Sequence, residues 1–255
     1  MHHHRLVSTM SGKHPGFLPI AEGSTAGKDA AGRLHLGGIV FDMDGTLCEP
    51  QNYMFGEMRA ALGIDKGIDI LDHMHSLPEP QQSEAFDKIK EIERTAMTKQ
   101  IPQAGLVTLM EALDRWGVKK GICTRNFDAP VTHLLQKHLP SHVSPFTPII
   151  TRDFKPPKPS PAGILHIAHA WGLVDSAEVP STPVEERHLP LIMVGDSVDD
   201  MASGRDAGAL TVLLASVGKG QSEELVNDER SDVVVYRLDE LVGLIEEGIV
   251  PRSRE

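Results

Sequence analysis

The sequence predicts an α/β fold: a doubly wound parallel sheet with a small helical cap inserted after the first strand. Three observations carry this. Short strand-like runs, most of them apolar, recur at residues 39–41, 118–123, 149–150, 191–194, 210–214 and 233–235. Between most of them lie apolar residues at helical spacing, the alternation of a parallel sheet covered on both faces. Residues 50–101 interrupt that rhythm with helical periodicity and almost no β-branched clustering, which suits a cap set into the main domain.

Taken in order, Ile39, Val40 and Phe41 lack polar alternation and suit a strand buried on both faces. Asp42, Met43, Asp44 and Gly45 follow at once. Residues i and i+2 of an extended chain point the same way, so Asp42 and Asp44 come together where the strand ends. Two such carboxylates need a cation or a shared proton to offset them. Gly45 permits a sharp exit. In the cap, Tyr53, Met54, Met58, Ala61 and Leu62 mark a helix ended by Gly63; Pro78 and Pro80 break the chain. Phe86, Ile89, Ile92, Ala96 and Met97 mark a second, charged helix.

From residue 102 the pattern changes. Leu106, Leu109, Met110, Leu113 and Trp116 define a helix closed by Gly117. The strand at 118–123 ends in Thr124, Arg125 and Asn126; Asp128 then caps a helix carrying Val131, Leu134 and Leu135. After the strand at 149–150, Ser160 and Pro161 read as an N-cap with proline at the first helical position. Ile164, Leu165, Ala168 and Trp171 form that helix's apolar face, and 174–189 is a polar loop. The strand at 191–194 ends in Gly195, Asp196, Ser197, Val198, Asp199 and Asp200, and a short helix runs to Gly208. A final helix carries Leu238, Leu241, Leu244 and Ile245.

The division expected from this is a core of residues 37–49 and 102–255, a cap of residues 50–101, and a disordered N-terminal tail of residues 1–36, rich in Gly, Ser, Thr, Lys and His. The net charge of −11 argues against a nucleic-acid partner. Two distant cysteines, Cys48 and Cys123, indicate neither a disulfide framework nor a zinc site, and so a reducing, cytoplasmic setting. No apolar run nears the roughly 18 residues of a membrane span. A monomer or homodimer is expected.

Four strand or loop ends carry polar groups: Asp42 and Asp44, Thr124, Lys158, and Asp196 with Asp200. In a doubly wound sheet, functional groups gather outside the carboxyl ends of the strands. Each residue alone has an ordinary explanation as a turn former, helix cap or solvated charge. Together they form one chemistry. Three or four carboxylates suit a hard cation, with Mg2+ the usual one beside phosphate. A hydroxyl and an amine suit phosphoryl oxygens. One carboxylate can attack phosphorus, and a second can move protons. His166 and His169 share a helix face without a third ligand, so zinc is not expected.

The runs Phe41-Asp42-Met43-Asp44-Gly45-Thr46-Leu47, Thr124, Lys158-Pro159-Ser160-Pro161 and Val194-Gly195-Asp196-Ser197-Val198-Asp199-Asp200 resemble, in order, the four motifs of haloacid dehalogenase superfamily hydrolases, in their phosphoglycolate phosphatase-like branch. The resemblance implies a Rossmann-like core with a cap between the first and second motifs. It implies that Asp42 is the nucleophile and Asp44 the general acid/base. It further implies that Asp42, the backbone carbonyl of Asp44 and Asp196 bind Mg2+, that Asp200 holds the metal site directly or through its neighbours, and that Thr124 and Lys158 bind the phosphoryl group.

One departure stands out: many relatives carry Asn directly after the second-motif hydroxyl residue, whereas here Arg125 precedes Asn126. Arg125 either adds a contact to an anionic substrate or points to solvent. Lys158 is preferred to Lys155 for its distance from the following helix. The activity implied is a Mg2+-dependent phosphatase for a small phosphorylated metabolite, acting through an aspartyl-phosphate. A phosphomutase would keep the same residues. A dehalogenase would need neither Mg2+ nor Asp44, and a non-catalytic binding protein would be expected to lose one of the acids or Lys158.

Overall fold

The structure is a computed structural model that describes residues 13–20, 28–216 and 223–252. After β1 (Gly38–Phe41) come three helices, α1 (Tyr53–Leu62), α2 (Ile70–Ser76) and α3 (Gln81–Thr98). The chain continues through α4 (Leu106–Trp116), β2 (Lys119–Cys123), α5 (Asp128–His138), β3 (Ile149–Ile150), α6 (Ala162–Ala170) and β4 (Leu191–Gly195). It ends with α7 (Val198–Ala207), β5 (Leu210–Leu214), α8 (Glu223–Asn227), β6 (Val233–Val235) and α9 (Glu240–Glu247). The six strands form one parallel sheet in the order β3-β2-β1-β4-β5-β6. The order reverses between β1 and β4, the crevice at which open α/β sheets bind ligands.

The two faces of β1 show why its sequence has no polar residue. Ile39 and Phe41 join one core with Leu109 and Leu113 of α4, Leu134 of α5 and Leu241 of α9. Val40 joins the opposite core with Ile164, Ile167 and Trp171 at α6. Adjacent residues of a strand face opposite ways, so a strand between two helical layers must be apolar throughout. Trp171 presses into the sheet where β1 carries Gly38, at which a Cβ would stand 2.4 Å from the indole ring. Its Nε1–H donates to the Thr147 carbonyl at 2.7 Å, so the polar edge of the buried ring has a partner.

The insertion has its own small core of Met58, Met74, Ala85 and Ile89. Pro78 and Pro80 fall between α2 and α3, where the sequence places a break. The short α2 escapes the sequence reading; Asp69 starts it by accepting from the Asp72 N–H at 3.0 Å. The insertion leaves and rejoins the main domain through paired chain segments, with the Glu49 N–H donating to the Ile101 carbonyl at 2.8 Å. Arg152, after β3, ties the insertion down through Glu93 of α3 at 2.7 Å, with its guanidinium 4.7 Å from the centre of the Phe127 ring. No helix among the described residues is long and apolar enough to cross a membrane.

The expectation of a disordered tail over 1–36 is corrected where the chain is described. Phe17, 1% exposed, lies in the main core with Leu34 and Ile245. Phe17 and Ile249 exchange backbone hydrogen bonds at 2.8 and 3.0 Å, and the Leu18 N–H donates to the Leu34 carbonyl at 2.9 Å. His14 is buried, accepting from the Gly16 N–H at Nδ1 and bonding the Leu189 carbonyl through Nε2. Burial holds its imidazole down at about 4, so it stays neutral at ordinary pH. Phe17 and Leu34 stand far apart in a stretch with no helical or strand period, which hides them from a pattern search. Residues 1–12 and 21–27 of the expected tail lie outside the described residues. Phe17→Ala should cost about 3–5 kcal/mol, the usual penalty for emptying a buried aromatic site. Urea unfolding measures it; a loss below about 1 kcal/mol would show the segment to be a loose covering.

Two smaller corrections concern helix starts. Ser160 and Pro161 stand one residue earlier than expected: Pro161 is the cap residue and α6 begins at Ala162, yet the Ser160 hydroxyl still accepts from the Ala162 N–H at 3.3 Å. Asp128 is the first residue of α5, behind Phe127, and lies in the first turn where its charge favours the helix dipole.

Candidate active site

The register aligns Phe41 with Val194 and with Ile122, so β1, β4 and β2 end at a common level. The Asp42 N–H donates to the Val194 carbonyl at 2.9 Å, continuing the ladder one residue past β1. The chain then turns at Gly45, whose φ of +83° lies in the region that favours glycine. A Cβ on Gly45 would stand 1.9 Å from Oδ2 of Asp196, so only glycine lets this turn lie against the end of β4. Gln103 supports the turn from outside, donating from Nε2 to the Gly45 carbonyl at 2.9 Å.

Lys158 is buried in the loop before α6, whereas Lys155 is exposed. Its ammonium donates to Oδ1 of Asp42 at 2.7 Å and to Oδ1 of Asp200 at 2.5 Å. Asp200 is buried too, because Ser197 and Asp200 form a capping box at the start of α7. The Ser197 hydroxyl donates to Oδ2 of Asp200 at 2.6 Å. Asp42, Asp196 and Asp200 each present an oxygen within 4.8 Å of the others. Of the predicted site residues, Asp42, Lys158, Asp196 and Asp200 are therefore in direct reach of one another, with Asp44 beside them on the turn.

Thr124 is buried at the end of β2, its Oγ1 accepting from the Asn126 N–H at 3.1 Å. Arg125 does not join the buried groups. Its side chain is 60% exposed and pairs with Asp199 of α7 at 2.7 Å, which also accounts for Asp199. The residue left out by the sequence reading is Asn126. Its Nδ2 donates to Oδ2 of Asp44 at 2.8 Å. The only signal was its displaced position two residues after Thr124, which the sequence shows but does not explain.

Burial governs the charges. It pushes Asp42 up to about 7 against the pull of Lys158, with Asp200 and Asp44 adding to the rise. It pushes Asp196 up to about 8, with Asp42 and Asp200 adding to it. Asp44 also rises through burial, opposed by the hydrogen bonds from Asn126 and Cys48. Burial works against the charged form of Lys158, yet Asp200 and Asp42 hold it above the ordinary amine range. One ammonium thus faces several close carboxylates. An all-oxygen cluster of three close carboxyl groups fits a hard divalent cation.

The model of the haloacid dehalogenase-like hydrolases matches residues 36–208, and the chain belongs to that family. An uncharacterized hydrolase of Saccharomyces cerevisiae is 45% identical over 217 residues, covering 84% of this chain and 93% of that one. A haloacid dehalogenase-like hydrolase domain-containing protein of Arabidopsis thaliana is 32% identical over 240 residues, covering 89% and 91%. Among solved structures, the predicted phosphoglycolate phosphatase of Haemophilus somnus shares the fold. The TM-score is 0.61 at 17% identity, covering 82% of this chain and 97% of that one.

Proposed function

We propose that this hydrolase is a Mg2+-dependent phosphatase that cleaves a small phosphorylated metabolite through an aspartyl-phosphate. The observation that carries the reading is the placement of Asp42: buried at the end of β1, bonded to Lys158, and followed by Asp44 on the same turn. An oxygen of Asp42 forms the bond to phosphorus as the bond to the leaving oxygen breaks, and Asp44 gives that oxygen its proton. Water then attacks phosphorus, returns a proton to Asp44, and frees Asp42 and phosphate.

Burial, which raises Asp44, favours the protonated form that the first step requires. Lys158 and Thr124 supply the positive charge and the hydroxyl for phosphoryl oxygens. Asp42, Asp196 and Asp200, with the backbone carbonyl of Asp44, are the groups that would hold Mg2+. When bound, the ion screens the repulsion between an anionic nucleophile and an anionic phosphate. In this reading the helical insertion is a cap, and its modest size favours a small substrate shielded from bulk water.

Phosphate release from a panel of sugar phosphates, nucleotides and phosphoglycolate, with and without Mg2+, tests the proposal. Mg2+-dependent turnover of at least one compound is the expected result. Folded protein that turns over none of them overturns it.

A further inference from the structure

Asn126 is held at all four of its polar groups. Its backbone N–H donates to Oγ1 of Thr124 at 3.1 Å, and its carbonyl accepts from the Arg152 N–H at 2.8 Å. Its side-chain Oδ1 accepts from the Phe127 N–H at 2.8 Å. That bond fixes which way the amide faces: with the oxygen on Phe127, the NH2 group must point to Asp44, where it donates to Oδ2 at 2.8 Å. A side chain this constrained loses little entropy when it holds a partner.

The two oxygens of Asp44 are consequently unlike. Oδ2 takes the short amide hydrogen bond, whereas Oδ1, among the described residues, has only the Cys48 thiol at 3.8 Å. An oxygen that accepts from an amide N–H cannot face the same direction with a proton of its own. We infer that Asn126 is a positioning residue for the reaction proposed above: its amide fixes the rotation of the Asp44 carboxyl and reserves Oδ1 for the leaving oxygen. The inference rests on Asp44 serving as the acid. It explains why an asparagine works two places after Thr124: the intervening Arg125 turns outward to Asp199, and Asn126 comes back to the site.

The test compares Asn126→Ala and Asn126→Asp with the unsubstituted protein. Asn126→Asp keeps the shape but replaces the amide donor with a carboxyl, which in its ionised form sets like charge against Asp44 in place of a hydrogen bond, whereas Asn126→Ala removes the donor without adding charge. Two probes are used, p-nitrophenyl phosphate, whose phenolate leaves readily without a proton, and glycerol 3-phosphate, whose alkoxide does not. A misdirected acid should lower kcat/KM for glycerol 3-phosphate by roughly 10–100-fold in both variants, a fraction of what general acid catalysis supplies. Turnover of p-nitrophenyl phosphate should stay within about 3-fold. Equal losses for the two esters would make Asn126 a ligand of the phosphoryl group and overturn the inference, as would no loss for either.

A crystal structure of Asn126→Ala reads the same claim without turnover. Asp44 rotated from its present orientation, with Lys158 still on Asp42, supports it; Asp44 unmoved overturns it. If the unsubstituted protein releases phosphate from neither ester nor any member of the panel, the phosphatase reading fails by itself, and the orientation of Asp44 in that crystal still decides what Asn126 does.

Discussion

Asp42→Asn should abolish phosphate release while leaving the chain folded. The carboxamide has the volume of the carboxylate and keeps an oxygen to accept from Lys158, now at 2.7 Å from Oδ1. The backbone N–H of residue 42 still bonds the Val194 carbonyl. What is lost is the nucleophile, since a neutral amide oxygen does not displace an alkoxide from phosphorus. The expected fall in kcat is about 10⁴-fold or more, in the range seen when a covalent nucleophile is removed. The fold should be unharmed, because a buried acid raised to about 7 becomes a neutral group of equal size. Phosphate release on the best compound of the panel, alongside circular dichroism and thermal unfolding, measures both halves. Activity within tenfold of the unsubstituted protein would remove Asp42 from the role of nucleophile.

The sheet and most of the acid cluster were legible in the sequence because each depends on local constraint. A strand between two helical layers must be almost wholly apolar, so the strands at 39–41 and 191–194, and 210–214 apart from Thr211, announce themselves. Asp42 and Asp44 are two residues apart on one turn, and Asp196 and Asp200 share one strand-to-helix junction, so their grouping needs little tertiary information. Other features arise only when distant segments meet. Phe17 sits in a stretch with no period of its own, and its pocket is supplied by Ile249 and α9. Asn126 shows in the sequence only as displaced by one place behind Arg125, and its bond to Asp44 depends on how the β2 and β1 ends face each other. Lys158 is recognisable by its place before a helix, but its double contact with Asp42 and Asp200 depends on three separate loops meeting. Arg125 was ambiguous because its partner, Asp199, lies 74 residues away along the chain.

Asp196→Asn separates the electrostatic cost of the site from its use. Burial, together with Asp42 and Asp200, holds the Asp196 carboxyl up at about 8. A carboxyl raised on folding binds a proton more tightly in the folded chain than in the unfolded one. Between the ordinary carboxylate range and about 8, the folded state therefore retains a proton that the unfolded state releases, and stability falls as pH rises through that window. Above it, Asp196 is ionised beside Asp42 and Asp200 and the full penalty applies. Asparagine removes the charge but keeps the shape beside Gly45, where Oδ2 of Asp196 already sits at the position a Cβ would need. In metal-free buffer at pH 9 the variant should melt on the order of 5 °C above the unsubstituted protein, and close to it at pH 5. Adding Mg2+ should reverse the order. An ion held by Asp42, Asp196 and Asp200 binds only the folded chain and raises the melting temperature of the unsubstituted protein, whereas the variant has exchanged one of the three carboxylates for a neutral amide and responds weakly. Thermal unfolding across pH, with and without millimolar Mg2+, reads all of this without a substrate. An equal Mg2+ response in both proteins would place the ion elsewhere, and a variant less stable at pH 9 would show that the Asp196 carboxylate is satisfied by the protein alone.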